Sequence, residues 1–136
     1  MLNESSTDSP TDLVYSFIAD YFNWNTYAFK LSRNLKDHSR QAVDLAEKEY
    51  AKLLQKYCLP EFKGMAISFG SDSAHEPGKE VIVSEEITDS KAIIRTIYSG
   101  RFSVVSEYEY RLVKKSSKWY LEAVDYIDSD GKYPSL

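Results

Sequence analysis

Asp20, Tyr108 and Tyr110 are the residues whose types and placement could support acid/base chemistry. Asp20 sits at the edge of an apolar stripe with helical spacing, between Leu13 and Tyr27 on a helical wheel, and Asn25 falls inside that stripe. Tyr108 and Tyr110 are two apart in a strand-like segment, so they share one sheet face. If that face looks toward the helix, a carboxylate meets two phenols, and such a set can pass a proton to and from a bound substrate. The plainer account of Asp20 is a stripe-edge acid reaching water, or a buried polar group with its hydrogen bonds made.

A second constellation lies toward the C-terminus. Glu107, Glu109, Glu122 and Asp128 are expected on the solvent side of the last strands, with Asp125 and Asp130 nearby, and Tyr120, Tyr126 and Tyr133 interleave with them. Tyrosine beside carboxylate suits a protein interface that receives basic residues, because the ring supplies area and the acids steer the encounter. Glu107, Glu109, Glu122, Tyr126 and Asp128 are therefore the expected partner contacts. The plainer account is a solvated face on which Glu107 or Glu109 stands opposite a Lys or Arg.

The remaining reactive side chains form no motif. His38 sits near the start of the second helix and His75 lies in a polar loop, so both are expected at the surface. Neither has metal-ligand spacing, and Cys58 has no second cysteine to pair with. DSDG at 128–131 resembles part of a calcium loop, but the position two before Asp128 is Tyr126 rather than an acid, so a turn is expected instead. No phosphate-binding glycine loop, nucleophile elbow or HExxH occurs, and neither a metal nor a cofactor is expected. The formal net charge is −4, with eight acids and seven bases in residues 1–60 against thirteen and ten in 61–136. That balance argues against nucleic acid, which favours a basic patch. No stretch approaches the ~20 apolar residues of a membrane helix, and MLNESSTDSP lacks the basic and apolar regions of a signal peptide. No membrane contact is expected, and a reducing cytoplasm is the expected location.

Two helices and a sheet must position these residues. Residues 1–9 are polar and small and are expected to fray. Ser9, Pro10 and Asp12 then make a helix start. Leu13, Val14, Phe17, Ile18, Tyr21, Trp24, Ala28 and Leu31 carry the stripe to about Arg33. Asp37 is placed to cap a second helix, 37–58, whose stripe includes Ala42, Val43, Ala46, Tyr50, Leu53, Leu54 and Tyr57 and which Pro60 closes. The period then changes. A short strand is expected at Met65–Phe69, a loop at 71–79, and strands at 80–88, 91–98, 103–114 and 119–128 joined by short turns. Such a series reads as an antiparallel meander, with the helices on one face of the sheet. Val104, Tyr108, Tyr110 and Leu112 alternate with Glu107, Glu109 and Arg111, which predicts one packed and one wet face, with Val104 on the packed one. The 91–98 strand is apolar on both faces, which points to a covered second face. The chain reads as an α+β protein with one domain from residue 10 to residue 136.

The segment YEYRLVKKSSKWYLEAVDYIDSDGKY, with its K-W-x-L-x-x-V closing strand, resembles the last hairpin of nuclear transport factor 2-like proteins. The same segment with KAIIRT before it is similar to the immunity proteins of bacterial polymorphic toxin systems that share that fold. The resemblance implies a cone: a bent sheet wrapped around the helices, with a pocket at the wide end. It implies a cognate protein toxin as partner, bound and blocked by occlusion without catalysis. It also implies an alternative, a ketosteroid isomerase-like or polyketide cyclase-like pocket using Asp20, Tyr108 and Tyr110. A pocket plugged by Trp24, Tyr27 or Phe22 would favour the immunity reading. The open sheet face of the fold also offers a surface for a homodimer.

Overall fold

The computed structural model describes residues 9–64, 66–100 and 104–136. Helix α1 spans Pro10–Asn34. Ser9 caps it, its Oγ accepting from the Asp12 amide at 3.3 Å, and proline fills the first turn, where its missing N–H leaves no bond unmade. Leu13, Val14, Phe17, Ile18, Tyr21, Trp24 and Ala28 form the buried face, as the spacing predicts. Helix α2 spans Ser39–Tyr57. Its N-cap is His38 with no side-chain capping bond, so Asp37 does not take the capping role its position suggests. The indole Nε1–H of Trp24 donates to the Ala46 carbonyl at 2.9 Å, which joins the helices by a buried hydrogen bond.

Five strands follow: β1 Glu80–Ile87, β2 Lys91–Ser99, β3 Val105–Lys115, β4 Lys118–Asp128 and β5 Gly131–Pro134. They form one antiparallel meander in sequence order. Register shifts between Ile82 and Ser84 and between Arg111 and Leu112 mark irregularities that bend the sheet. The curled inner face lays Ile94, Tyr98, Tyr108, Tyr110, Leu112, Leu121 and Val124 against the stripes of α1 and α2 in one core. This is the α+β, cone-type arrangement expected from the sequence.

Three local expectations differ. Residues 66–69 form no strand, and Met65 lies outside the described residues. Asn25 instead ties this segment to α1, its Nδ2 donating to the Gly70 carbonyl and its Oδ1 accepting from the Gly70 amide. That is the use of the polar residue inside the stripe. The region after Asp128 is a turn, but one that leads into a fifth strand. Val104, placed by alternation with the inward tyrosines, is 60% exposed, because β3 begins only at the next residue. The expected fraying of residues 1–8 and the turn and strand start at 101–103 lie outside the described residues.

The β3–β4 hairpin turns on Ser116 and Ser117, both at positive φ (52° and 67°). Such two-residue turns favour Asn-Gly, since a side chain in the left-handed region is strained. Replacing the pair with Asn-Gly is expected to raise unfolding stability by about 1 kcal/mol, read as a higher urea midpoint with an unchanged slope.

Candidate functional site

The interior of the cone holds a polar cluster rather than an open pocket. Glu80 begins β1 with its side chain 0% exposed, and His75 packs beside it at 1%. Glu80 accepts from three sides. His75 Nδ1 lies 2.7 Å from Oε1, while the hydroxyls of Tyr110 and Thr96 donate to Oε2 at 2.6 and 2.5 Å. The Tyr110 oxygen also lies 3.0 Å from His75 Nδ1. Aromatic rings enclose the imidazole: Tyr108 at 4.5 Å, Tyr21 at 4.8 Å and Phe17 at 5.6 Å between centroids. The His75 loop is held in place by Ser73, whose Oγ donates to the His75 carbonyl and whose own carbonyl accepts from Tyr98. Burial raises the Tyr110 pKa well above its ordinary value, and the Glu80 charge and hydrogen bond raise it further.

His75 is thus a core residue, not the surface residue its polar loop suggests. Asp20 is not part of this cluster. It lies on the helix side, where Lys56 Nζ and the Tyr57 hydroxyl donate to its Oδ2 at 2.8 and 2.6 Å. Burial alone would raise its pKa, but the bonds from Lys56 and Tyr57 and the Lys56 charge outweigh that and lower it. Asp20 therefore does not meet Tyr108 or Tyr110, and the expected acid/base set is not assembled. Of the residues whose plugging of the pocket would favour the immunity reading, Trp24 is buried in the core, Phe22 half-buried and Tyr27 exposed. Phe17, Tyr21 and His75 fill the interior with Trp24. A cleft of about 300 Å³ at the mouth meets Ser73, Tyr98, Ser106 and Tyr108. A larger groove, about 640 Å³, runs along the end of α2 and the start of β4, past Leu54, Phe62 and Tyr120.

The outer face of the sheet carries the other charged set. Glu109, expected in water, is only 2% exposed. Arg95 donates to its Oε1 from Nε at 3.1 Å and Nη2 at 2.9 Å, Lys132 lies 3.0 Å from both oxygens, and Arg111 Nη1 is 3.3 Å from Oε2. Arg111 also donates to Asp125. The cations cover the acid, which is why alternation puts Glu109 on the right face but fails to predict its burial. Its cross-strand partner is Arg95, so the charge-pair account describes what this residue does. The other expected contacts scatter. Glu107 is exposed on the outer face, paired in register with Ile97 and Ile127. Glu122 lies 3.8 Å from Lys91. Tyr126 is on the inner face, its ring 5.9 Å from that of Tyr108. Asp128 closes the β4–β5 turn by accepting from the Asp130 and Gly131 amides.

A family model described as NTF2 fold immunity protein matches residues 9–134. The chain belongs to this family. No curated protein and no solved structure matches it.

In this NTF2 fold immunity protein Glu80, His75 Nδ1, Thr96 and Tyr110 are joined in one buried network, while Asp20 is held apart from it by Lys56 and Tyr57. Among the described residues no cluster of His, Cys, Asp and Glu could hold a metal ion, and no helix is long and apolar enough to cross a membrane. Sequence reasoning missed His75, Glu80 and Thr96. The available signal was parity: Glu80 shares its strand face with Ile82, opposite the Val81 and Val83 that dominate the segment.

Glu109 gives the outer face a pH dependence. Burial pushes its pKa up, but the bonds and charges of Lys132 and Arg95 prevail and hold it below the ordinary carboxylate value. A depressed folded pKa stabilises the fold above the unfolded pKa of about 4.5, and that contribution is lost as pH falls through the folded value. Glu109→Gln is therefore expected to be less stable than the parent at neutral pH, with the gap narrowing below about pH 4. Urea unfolding across pH 3–7 checks this, and a gap constant over that range contradicts it.

Proposed function

We propose that this NTF2 fold immunity protein binds one cognate toxin of a bacterial polymorphic toxin system and neutralises it by occlusion, without chemistry of its own. The observation that carries this reading is the family match over residues 9–134, nearly the whole chain. Supporting it, the buried Glu80 carboxyl group and His75 Nδ1 are engaged with each other, and Thr96 and Tyr110 donate to the same carboxyl group. Residues 10–136 act as one domain. The cytoplasm is the site of action, which suits a lone, buried Cys58. Of the expected acids Glu107, Glu122 and Asp128 remain exposed, Glu107 on the outer sheet face, and that face is the contact surface.

The test is co-expression with the toxin encoded immediately upstream of this chain. A complex that survives purification, together with survival of toxin-expressing cells, is expected. Absence of both overturns the proposal. Asp20→Asn should protect cells as well as the parent does; loss of protection with the fold intact would favour a pocket-based activity.

A further inference from the structure

The centre of the outer sheet face carries one more cation than acid. The central cluster sets three cations, Arg95, Arg111 and Lys132, against two carboxylates, Glu109 and Asp125. The acids lie beneath, with side chains 2% and 9% exposed, while the cations are 39–50% exposed. Glu109 already accepts from all three cations. Arg95 uses Nε and Nη2 on it, and among the described residues its Nη1 group has no acceptor. Arg111 uses Nη1 on Glu109 and Asp125, and among the described residues its Nη2 and Nε have no acceptor. Unused N–H donors therefore remain on the exposed members of the cluster.

These guanidinium groups are fixed before any partner arrives. Glu109 lies opposite Arg95 on β2, and Asp125 lies opposite Glu109 on β4, so the strands set the spacing of the cluster. Holding the side chains in place reduces the ordering entropy that binding would otherwise cost, and a planar fork matches a carboxylate in a bidentate way. Beside the cluster the same face carries apolar side chains around the exposed Glu107. Val81, Val83 and Val105 are 48%, 54% and 58% exposed, and Ile97 and Ile127 lie in register with Val81 and Glu107. An apolar surface around a few oriented charges is the layout of a protein interface centre.

We infer that the outer sheet face is the docking surface for the toxin proposed above, and that the toxin brings a carboxylate, set among apolar side chains, onto Arg95 and Arg111. This inference rests on the immunity reading. It reverses the local chemistry suggested by the sequence, in which this protein would bring the acids. The overall negative charge acts at long range, whereas the contact itself needs an acid from the partner.

Arginine-selective labelling of the unaltered protein, with and without the co-expressed toxin encoded upstream, tests this without destabilising the fold. Arg95 and Arg111 should lose at least about tenfold in labelling rate in the complex, while Arg33 and Arg40 on the helices stay reactive. Arg95→Ala should weaken the complex by about ten- to a hundredfold with the circular dichroism unchanged. A complex that protects Arg33 or Arg40 instead, or that leaves Arg95 and Arg111 reactive, sinks this inference and leaves the immunity reading standing. Failure to form any complex sinks both. Protection of Arg95 and Arg111 in the protein alone as its concentration rises would assign the face to a second copy and overturn the inference.

Discussion

Glu80→Ala is expected to destabilise the fold by about 3–5 kcal/mol, the range for removing one partner from a buried polar network. The carboxylate is the shared acceptor of His75, Thr96 and Tyr110, and its side chain is fully buried. Alanine removes the acceptor that these groups share and adds a cavity lined by rings. Whole-domain stability is typically about 5–15 kcal/mol, so this loss approaches the folding threshold. Glu80→Gln keeps the volume and one carbonyl acceptor, and the Tyr110 and Thr96 hydroxyls can rotate to meet it, so about 1–2 kcal/mol is expected. Urea unfolding of the two variants beside the parent decides the matter. Equal small losses for both would mean that the cluster fills space without holding the loop to the sheet.

The cluster explains why a polar segment, 71–79, takes a defined path across the mouth of the cone. Ser73 and His75 enter the interior from a loop with little apolar surface of its own, and the carboxylate at the start of β1 supplies the attraction that burial of such a segment needs. The interior is occupied as a result. A fold that elsewhere offers its cone to ligands has here turned the same space into core, which leaves the outer sheet face as the broad exposed surface rich in fixed donors.

Elements with a strong period were legible in the sequence. Stripes such as Leu13–Val14–Phe17–Ile18–Tyr21 can bury only one helix face, and Tyr108–Tyr110–Leu112 only one strand face, so the α+β layout follows from spacing. Sites that depend on contacts between distant segments were not legible. His75 and Tyr110 are thirty-five positions apart, and nothing local to His75 distinguishes a buried imidazole from a solvated one. Glu109 shows the other limit. Its face follows from parity, but its burial depends on three long cationic side chains from β2, β3 and β5 folding over it. Asp20 was misleading because a stripe edge can border either the sheet or the neighbouring helix, and here α2 supplied Lys56 and Tyr57.

Alkali should unfold the protein cooperatively, within about one to two pH units above the ordinary tyrosine pKa of about 10. Burial raises the pKa of Tyr21 to about 12. Tyr50, Tyr57, Tyr108 and Tyr110 are also raised, by burial first, then by neighbouring charges and, for Tyr57 and Tyr110, by hydrogen bonds to Asp20 and Glu80. The sign follows from linkage. With folded pKa values above unfolded ones, the five contributions are fully present below pH 10, and stability falls as pH rises toward the folded values. Each such tyrosine removes about 1.4 kcal/mol per pH unit in that window, so five together remove about 7 kcal/mol per unit, comparable with the whole stability of a domain. The buried tyrosines should therefore ionise together with the loss of far-ultraviolet ellipticity. Tyrosinate absorbance that rises to completion while ellipticity stays native would refute the argument. Tyr110→Phe provides an internal check. It loses the bond to Glu80 and should be about 1–3 kcal/mol less stable than the parent at neutral pH. Its deficit should shrink by about 1.4 kcal/mol per unit above pH 10, because the variant no longer carries that proton linkage.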